Sequence, residues 1–198
     1  MHNPAMNMMM SNRERLLLAA RELFLEQGYD ASVDAIIGRA EVARQTFYNH
    51  FKNKESLFAE AIRACFIEIV APLSDCPDDL RGSLINFVAI YRQKALSPEG
   101  IASYRTLSGQ AQRFPELVRE VYALGAGQMT ERLAEFLRKA MALGHLRRVD
   151  PVFAAESLMA LALGLERTQA LFGVPRREGD EQSKIAQIID GFLQMFAP

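Results

Sequence analysis

At 198 residues the chain has room for one small module and a helical core of somewhat over a hundred residues. About half of it is apolar (49%) and its net charge is −1, so it is no polycation that coats nucleic acid; any surface for DNA must be local. No run reaches the roughly 18 apolar residues that span a bilayer, which predicts no membrane partner and a cytoplasmic protein.

The longest apolar run, around Leu158 to Leu165, is interrupted by small residues. Met1 to Met10 has no basic start and no cleavage-like pattern, so residues 1–11 read as a disordered tail rather than a signal. A true start between Met6 and Met10 is the alternative. Cys65 and Cys76 are the only cysteines, and Cys65, among Ala61, Ile62, Phe66 and Ile69, reads as inert packing rather than a redox switch. His2, His50 and His145 are scattered, and no cluster has metal-ligand spacing, so neither metal nor cofactor is expected.

Leu17, Ala20 and Phe24 recur at helical spacing, which predicts a helix over Arg13 to Gln27 stopped by Gly28. Ser32 is placed to cap a second helix and Asp34 suits its positive end. Val33, Ile36, Ile37 and Ala40 form the inner face of that helix, and Val42 fills the turn. Phe47 and Phe51 fall four apart on a third helix and leave its other side open. This is the layout of a helix-turn-helix, over residues 12–55.

The open side carries the chemistry. Arg bridges guanine acceptors, Gln or Asn bridges adenine, and Thr meets a thymine methyl, which points Arg44, Gln45, Thr46 and Asn49 toward bases. Tyr, His, Ser and Lys more often hold phosphates, which assigns Tyr48, His50, Ser32 and Lys54 to the backbone. An ordinary solvated helix face is the plainer reading of such residues.

From Lys54 onward the chain reads as six further helices, giving an all-α chain with a three-helix DNA-binding domain and a six-helix body over residues 56–198. The body helices are Glu55 to about Ala71, Asp78 to Ala95, Glu99 to Arg113, Pro115 to Ala142, Pro151 to Phe172 and Glu181 to Phe196. Pro115 and Pro151 open two of them, and Gly144 closes one. Leu158, Leu161, Leu165, Thr168 and Phe172 make one apolar stripe. Ile185, Ile188, Ile189, Phe192, Leu193 and Phe196 make another, and Gly164 and Gly191 permit close approach. Core packing alone is one account. The preferred one is a homodimeric four-helix bundle through Leu161, Leu165, Thr168, Phe172, Ile185, Ile188, Ile189, Phe192 and Phe196, which sets two recognition helices roughly 34 Å apart.

Val33-Asp34-Ala35-Ile36, Ala40-Glu41-Val42 and the run Thr46-Phe47-Tyr48-Asn49-His50-Phe51-Lys52-Asn53-Lys54-Glu55-Ser56-Leu57-Phe58 resemble the DNA-binding domain of the TetR family of bacterial regulators. The chain departs from that pattern with Glu41 where Gly is common, Ala43 where Ser usually caps, and Gln45 where Gly or Lys is frequent. Arg113-Phe114-Pro115-Glu116-Leu117, Gly144-His145-Leu146-Arg147 and Asp150-Pro151 resemble the C-terminal domain of the AefR-like branch.

The resemblance implies a repressor of a palindromic operator in double-stranded DNA, released by a small apolar or amphipathic effector, with its last two helices in the dimer. Phe66, Phe87, Tyr91, Tyr104, Met129, Phe136 and Met159 are candidates to line the effector pocket, although each suits a helical core equally. Tyr91, Tyr104, Arg105 and Glu166 would supply polar anchors. With no phosphate loop, nucleophile elbow or metal motif, no residue is nominated for catalysis. A helical ligand- or partner-binding protein with a degenerate DNA-binding head is the remaining alternative.

Overall fold

The computed structural model describes residues 10–73, 79–176 and 179–198, apart from the side chains of residues 25, 28 and 62–68. Among the described residues every regular element is helical. In chain order these are α1 (Asn12–Gln27), a 3-10 turn (Gly28–Asp30), α2 (Val33–Ala40), α3 (Arg44–His50), α4 (Lys54–Val70), α5 (Leu80–Ala95), α6 (Pro98–Gln110), α7 (Pro115–Tyr122), a π turn (Ala123–Gly127), α8 (Gln128–Ala142), α9 (Pro151–Leu163), α10 (Glu166–Leu171) and α11 (Glu181–Met195). Most of the tail, residue 76 and the expected start of α5 at residue 78 lie outside the described residues, as do the side chains of Cys65 and Phe66.

The chain forms two compact units, residues up to 65 with 102–124, and residues 66–101 with 125–198. In the first, Leu16, Ala19, Ala20, Leu23 and Phe24 bury one face of α1 at spacings of three and four, while Leu17 sits at the edge of that face. Phe24 meets Phe58 edge-on at 4.6 Å, and Tyr29 contacts Phe58 at 5.2 Å and Phe114 at 5.6 Å. Leu107, Phe114, Leu117 and Val121 complete this core. The stretch 102–124, which the hydrophobic pattern alone assigns to the body, thus packs with the N-terminal helices.

The second unit is built on Leu84, Phe87, Leu133, Leu137, Leu158, Ile189 and Phe192, all buried. Two helices expected to be continuous are interrupted there or at its edge. Between α7 and α8 the chain widens into the π turn, where Gly125 and Gly127 weaken the helical ladder. Between α9 and α10 it breaks at Gly164, whose φ of 49° and ψ of −132° are open to glycine alone. The stop at Gly144 is as expected: φ is 80°, and His145 N–H and Gly144 N–H donate to Ala140 O and Met141 O.

Among the described residues no helix is long and apolar enough to cross a membrane.

Candidate DNA-binding surface

Three local devices set the recognition helix. Ser32 N-caps α2 in an extended conformation (φ −80°, ψ 154°), its Oγ accepting from Ala35 N–H at 3.1 Å. The far end of α2 closes in a paired motif, with Glu41 N–H donating to Gly38 O and Val42 N–H to Ile37 O. Glu41 adopts the left-handed conformation this requires (φ 52°, ψ 45°). That explains why glycine is common here: a side chain at such a position costs roughly 1–2 kcal/mol. Arg15 compensates in part, donating to Glu41 O at 3.0 Å and approaching Oε2 at 3.4 Å.

The third device is the inner face of α3. Phe47 and Phe51 are 0% and 3% exposed, and each such burial is worth about 2 kcal/mol. They lock the rotation of the seven-residue helix, which is too short to stand alone. Arg44, Gln45, Tyr48, Asn49 and His50 are consequently exposed, and Thr46 is half-buried beside them. The structure brings these six and Ser32 into the helix-turn-helix as the sequence predicts. Ala43 occupies the cap position of α3 and makes no side-chain cap.

The exposed residues of α3 have partners within the same domain. Arg44 Nη1 donates to Asp34 Oδ1 at 2.9 Å, and hydrogen bonding with Tyr48, then the Asp34 charge, hold its guanidinium above its ordinary value. Gln45 Nε2 donates to Asn49 Oδ1 at 3.0 Å, so the two amides orient each other one turn apart. Both contacts are exposed and cost little to exchange for a base or phosphate.

Lys54 is the exception among the candidates. Its Nζ donates to Tyr29 O at 2.8 Å and lies 4.0 Å from the Tyr29 ring centroid, which draws the ammonium toward the core. Burial, then a hydrogen bond to Glu55, pushes the Tyr29 hydroxyl well above its usual range, so it stays a donor to Glu55 Oε1 at 2.8 Å. Lys52, by contrast, is exposed and has no partner among the described residues. It is the cation that sequence reasoning passed over, and its signal was its place directly after the recognition helix.

Most of the described candidates for the effector pocket are buried. Phe87, Met129 and Phe136 are at most 3% exposed and Tyr91 is 7% exposed, so they are core. Met159 is half-buried against that core. Tyr104 is exposed and belongs to the first unit, whereas the other described candidates belong to the second. Two surface cavities have other linings. One of about 430 Å³ in the first unit is bounded by Tyr29, Glu55, Phe114 and Glu120. The other, an open groove of about 730 Å³, lies in the second unit by Arg92, Arg176 and Glu181.

The pairing stripes divide by exposure. Ile189, Phe192 and Phe196 are fully buried within their own unit, and Ile185, 5% exposed, shows only an edge to the groove by Arg92. Ile188 is half-buried, while Leu161, Leu165, Thr168 and Phe172 remain exposed, Leu165 at 73% and Phe172 at 80%. The break at Gly164 takes the last three out of line with Leu161.

Residues 16–61 match the family model described as bacterial regulatory proteins of the TetR family, and residues 82–198 match that of the AefR-like transcriptional repressor C-terminal domain. The chain is 40% identical over 73 residues to the transposon Tn10 TetC protein of Escherichia coli, an overlap of 36% of this chain and 37% of that protein. The alignment thus spans little more than a third of that relative. A TetR-family regulator from Mesorhizobium loti superposes with a TM-score of 0.78 at 24% identity, covering 94% of this chain and 97% of the other. The flavonoid-responsive regulator FrrA superposes with a TM-score of 0.73 at 31% identity, covering 93% and 94%. A helix-turn-helix joined to a helical body defines the class, and the chain belongs to the TetR family of bacterial transcriptional regulators, with a C-terminal domain of the AefR-like type.

Proposed function

We propose that this protein is a transcriptional repressor that binds a two-fold symmetric operator as a homodimer and is released by a small apolar or amphipathic effector. The observation that carries the reading is the exposed polar row of α3, held outward by buried Phe47 and Phe51. Arg44, Gln45, Thr46 and Asn49 read bases in the major groove. Ser32, Tyr48, His50 and Lys52 take phosphates, with Lys54 contributing from its site on Tyr29. Ser32 Oγ accepts the cap hydrogen bond, and its own O–H is available to donate to a phosphate. The exposed apolar residues Leu161, Leu165 and Phe172 are the part of the pairing stripes open to a second copy. FrrA is named as responsive to flavonoids, and its likeness across nearly the whole chain supports control by a small molecule here.

The test is selection of bound duplexes from a random pool, followed by affinity measurements with Gln45→Ala and Tyr48→Ala. Selection is expected to converge on a palindrome with half-sites about one helical turn apart. Gln45→Ala should change which bases are preferred, whereas Tyr48→Ala should weaken matched and mismatched duplexes alike. Failure to converge, or equal effects of the two variants on both duplexes, would overturn the assignment.

A further inference from the structure

The second unit holds a charged network that DNA recognition does not use. Arg92, on the last turn of α5, is 1% exposed and fully engaged. Its Nε donates to Glu181 Oε1 at 2.7 Å, one Nη to Glu166 Oε2 at 2.6 Å, and the other to Ala162 O, a carbonyl at the break after α9. Lys184 pairs with Glu166, and Arg176 donates to Glu181 Oε2 at 2.8 Å. Among the described residues of this network three cations therefore face two carboxylates, a positive surplus.

That surplus sits at an open groove. Arg176 is 43% exposed, makes one good bond to Glu181 and only a 3.5 Å approach to Glu166, both through the same Nη, so its other N–H donors make no hydrogen bond among the described residues. Ala89, Leu96 and Ile185 supply an apolar wall along the same groove, whose volume of about 730 Å³ falls within the range of small-molecule sites. Glu181, 45% exposed at the head of α11, spans the Arg92 fork with both oxygens and meets Arg176 at one Nη through Oε2. Turning Oε2 away from Arg176 keeps the Oε1 bond to the buried Arg92 Nε and leaves the carboxylate at the positive end of its helix, which lowers the cost of giving way.

We infer that this groove binds a small amphipathic carboxylate, its carboxylate on Arg176 in place of Glu181 and its apolar body along Ala89, Leu96 and Ile185. Arg92 stays paired with Glu166 and with Glu181 Oε1 and supplies the fixed positive base of the site. Glu181 is an internal competitor whose tether gives it a high effective concentration, so the binding is of modest affinity. Binding itself stands apart from the regulatory reading; the claim that the carboxylate is the effector rests on it.

The test is calorimetric titration of the full chain, without DNA, with octanoate, octan-1-ol and octylamine. Octanoate is expected to bind at one site, and the equally long alcohol and amine to bind far more weakly. Arg176→Ala, at an exposed position, should weaken octanoate at least about tenfold, the loss of a bidentate charge-assisted contact. Glu181→Gln should tighten it several-fold, because the competitor loses its charge while keeping its shape. Octanoate no tighter than octan-1-ol, indifference to Arg176→Ala, or weaker binding in a folded Glu181→Gln chain would each overturn the site. None of these results bears on operator binding, so the two readings fail separately.

Discussion

The two N-caps of the helix-turn-helix form a matched pair, and the bare one makes a sharp prediction. Ser32 and Ala43 have nearly the same backbone torsions, φ −80° and ψ 154° against φ −71° and ψ 150°. Ser32 caps α2 through Ala35 N–H at 3.1 Å; Ala43 is exposed and makes no side-chain cap, and the equivalent N–H, that of Thr46, donates to Ala43 O at 2.9 Å, an acceptor a serine hydroxyl would share. Serine at 43 therefore needs no backbone change and meets no buried neighbour. A side-chain cap is worth about 1 kcal/mol, with a range of roughly 0.5–2. Ala43→Ser should thus stabilise α3 by about 1 kcal/mol, and Ser32→Ala should cost α2 a similar amount. One kcal/mol is about a five-fold change in an opening equilibrium, so the α3 amides should exchange with deuterium about five-fold more slowly where local opening controls exchange. Hydrogen exchange resolved by residue is the assay, because two compact units make a single melting curve hard to apportion. Unchanged or faster exchange in α3, alongside the expected loss in Ser32→Ala, would show that Ala43 O already suffices as acceptor and refute the reasoning.

Two further outcomes follow from the same geometry. Glu41→Gly relieves about 1 kcal/mol of left-handed strain, while the freer unfolded chain takes back about 0.5 kcal/mol; the net should be a small gain in urea midpoint, and a loss beyond 1 kcal/mol would mean the Arg15 contact matters more than the torsion. Hydrogen bonding to Arg92, ahead of the neighbouring positive charges, holds the Glu181 carboxyl below its usual range. Its stabilisation of the second unit is therefore complete above the ordinary glutamate range, roughly pH 4, and is lost as pH falls through the depressed value. An acid-unfolding comparison should find the advantage of wild type over Glu181→Gln constant near neutrality and shrinking in acid, and an advantage that grew on acidification would contradict the sign.

What was legible in the sequence was local. Phe47 and Phe51 four apart fix the face of α3, Ser32 fixes the start of α2, and the prolines and Gly144 mark body helix ends within a few residues. What was not legible depends on partners distant in sequence. The spacing of Leu158, Leu161 and Leu165 runs smoothly through Gly164, so the glycine reads as a site of close approach; that it ends the helix goes with a nearby carbonyl, Ala162 O, satisfied by Arg92, 70 residues away. The stripe on α11 says that Ile189 and Phe192 are buried but not by what; their own unit covers them. Leu107, Phe114, Leu117 and Val121 show the same ambiguity, since an apolar face does not name the core it joins. Lys52 and Lys54 are equivalent as letters, and only the Tyr29 ring and carbonyl separate them.

The measurement that bears most directly on sequence-specific regulation is fluorescence anisotropy of the full chain on its selected palindrome and on a scrambled duplex. It should be made near physiological salt with excess competitor, because non-specific affinity falls steeply with salt. The predicted result is an affinity for the palindrome at least about a thousand-fold above the scrambled duplex. Equal affinities that collapse together as salt is raised would contradict it and leave a helical protein whose DNA-binding head reads no sequence.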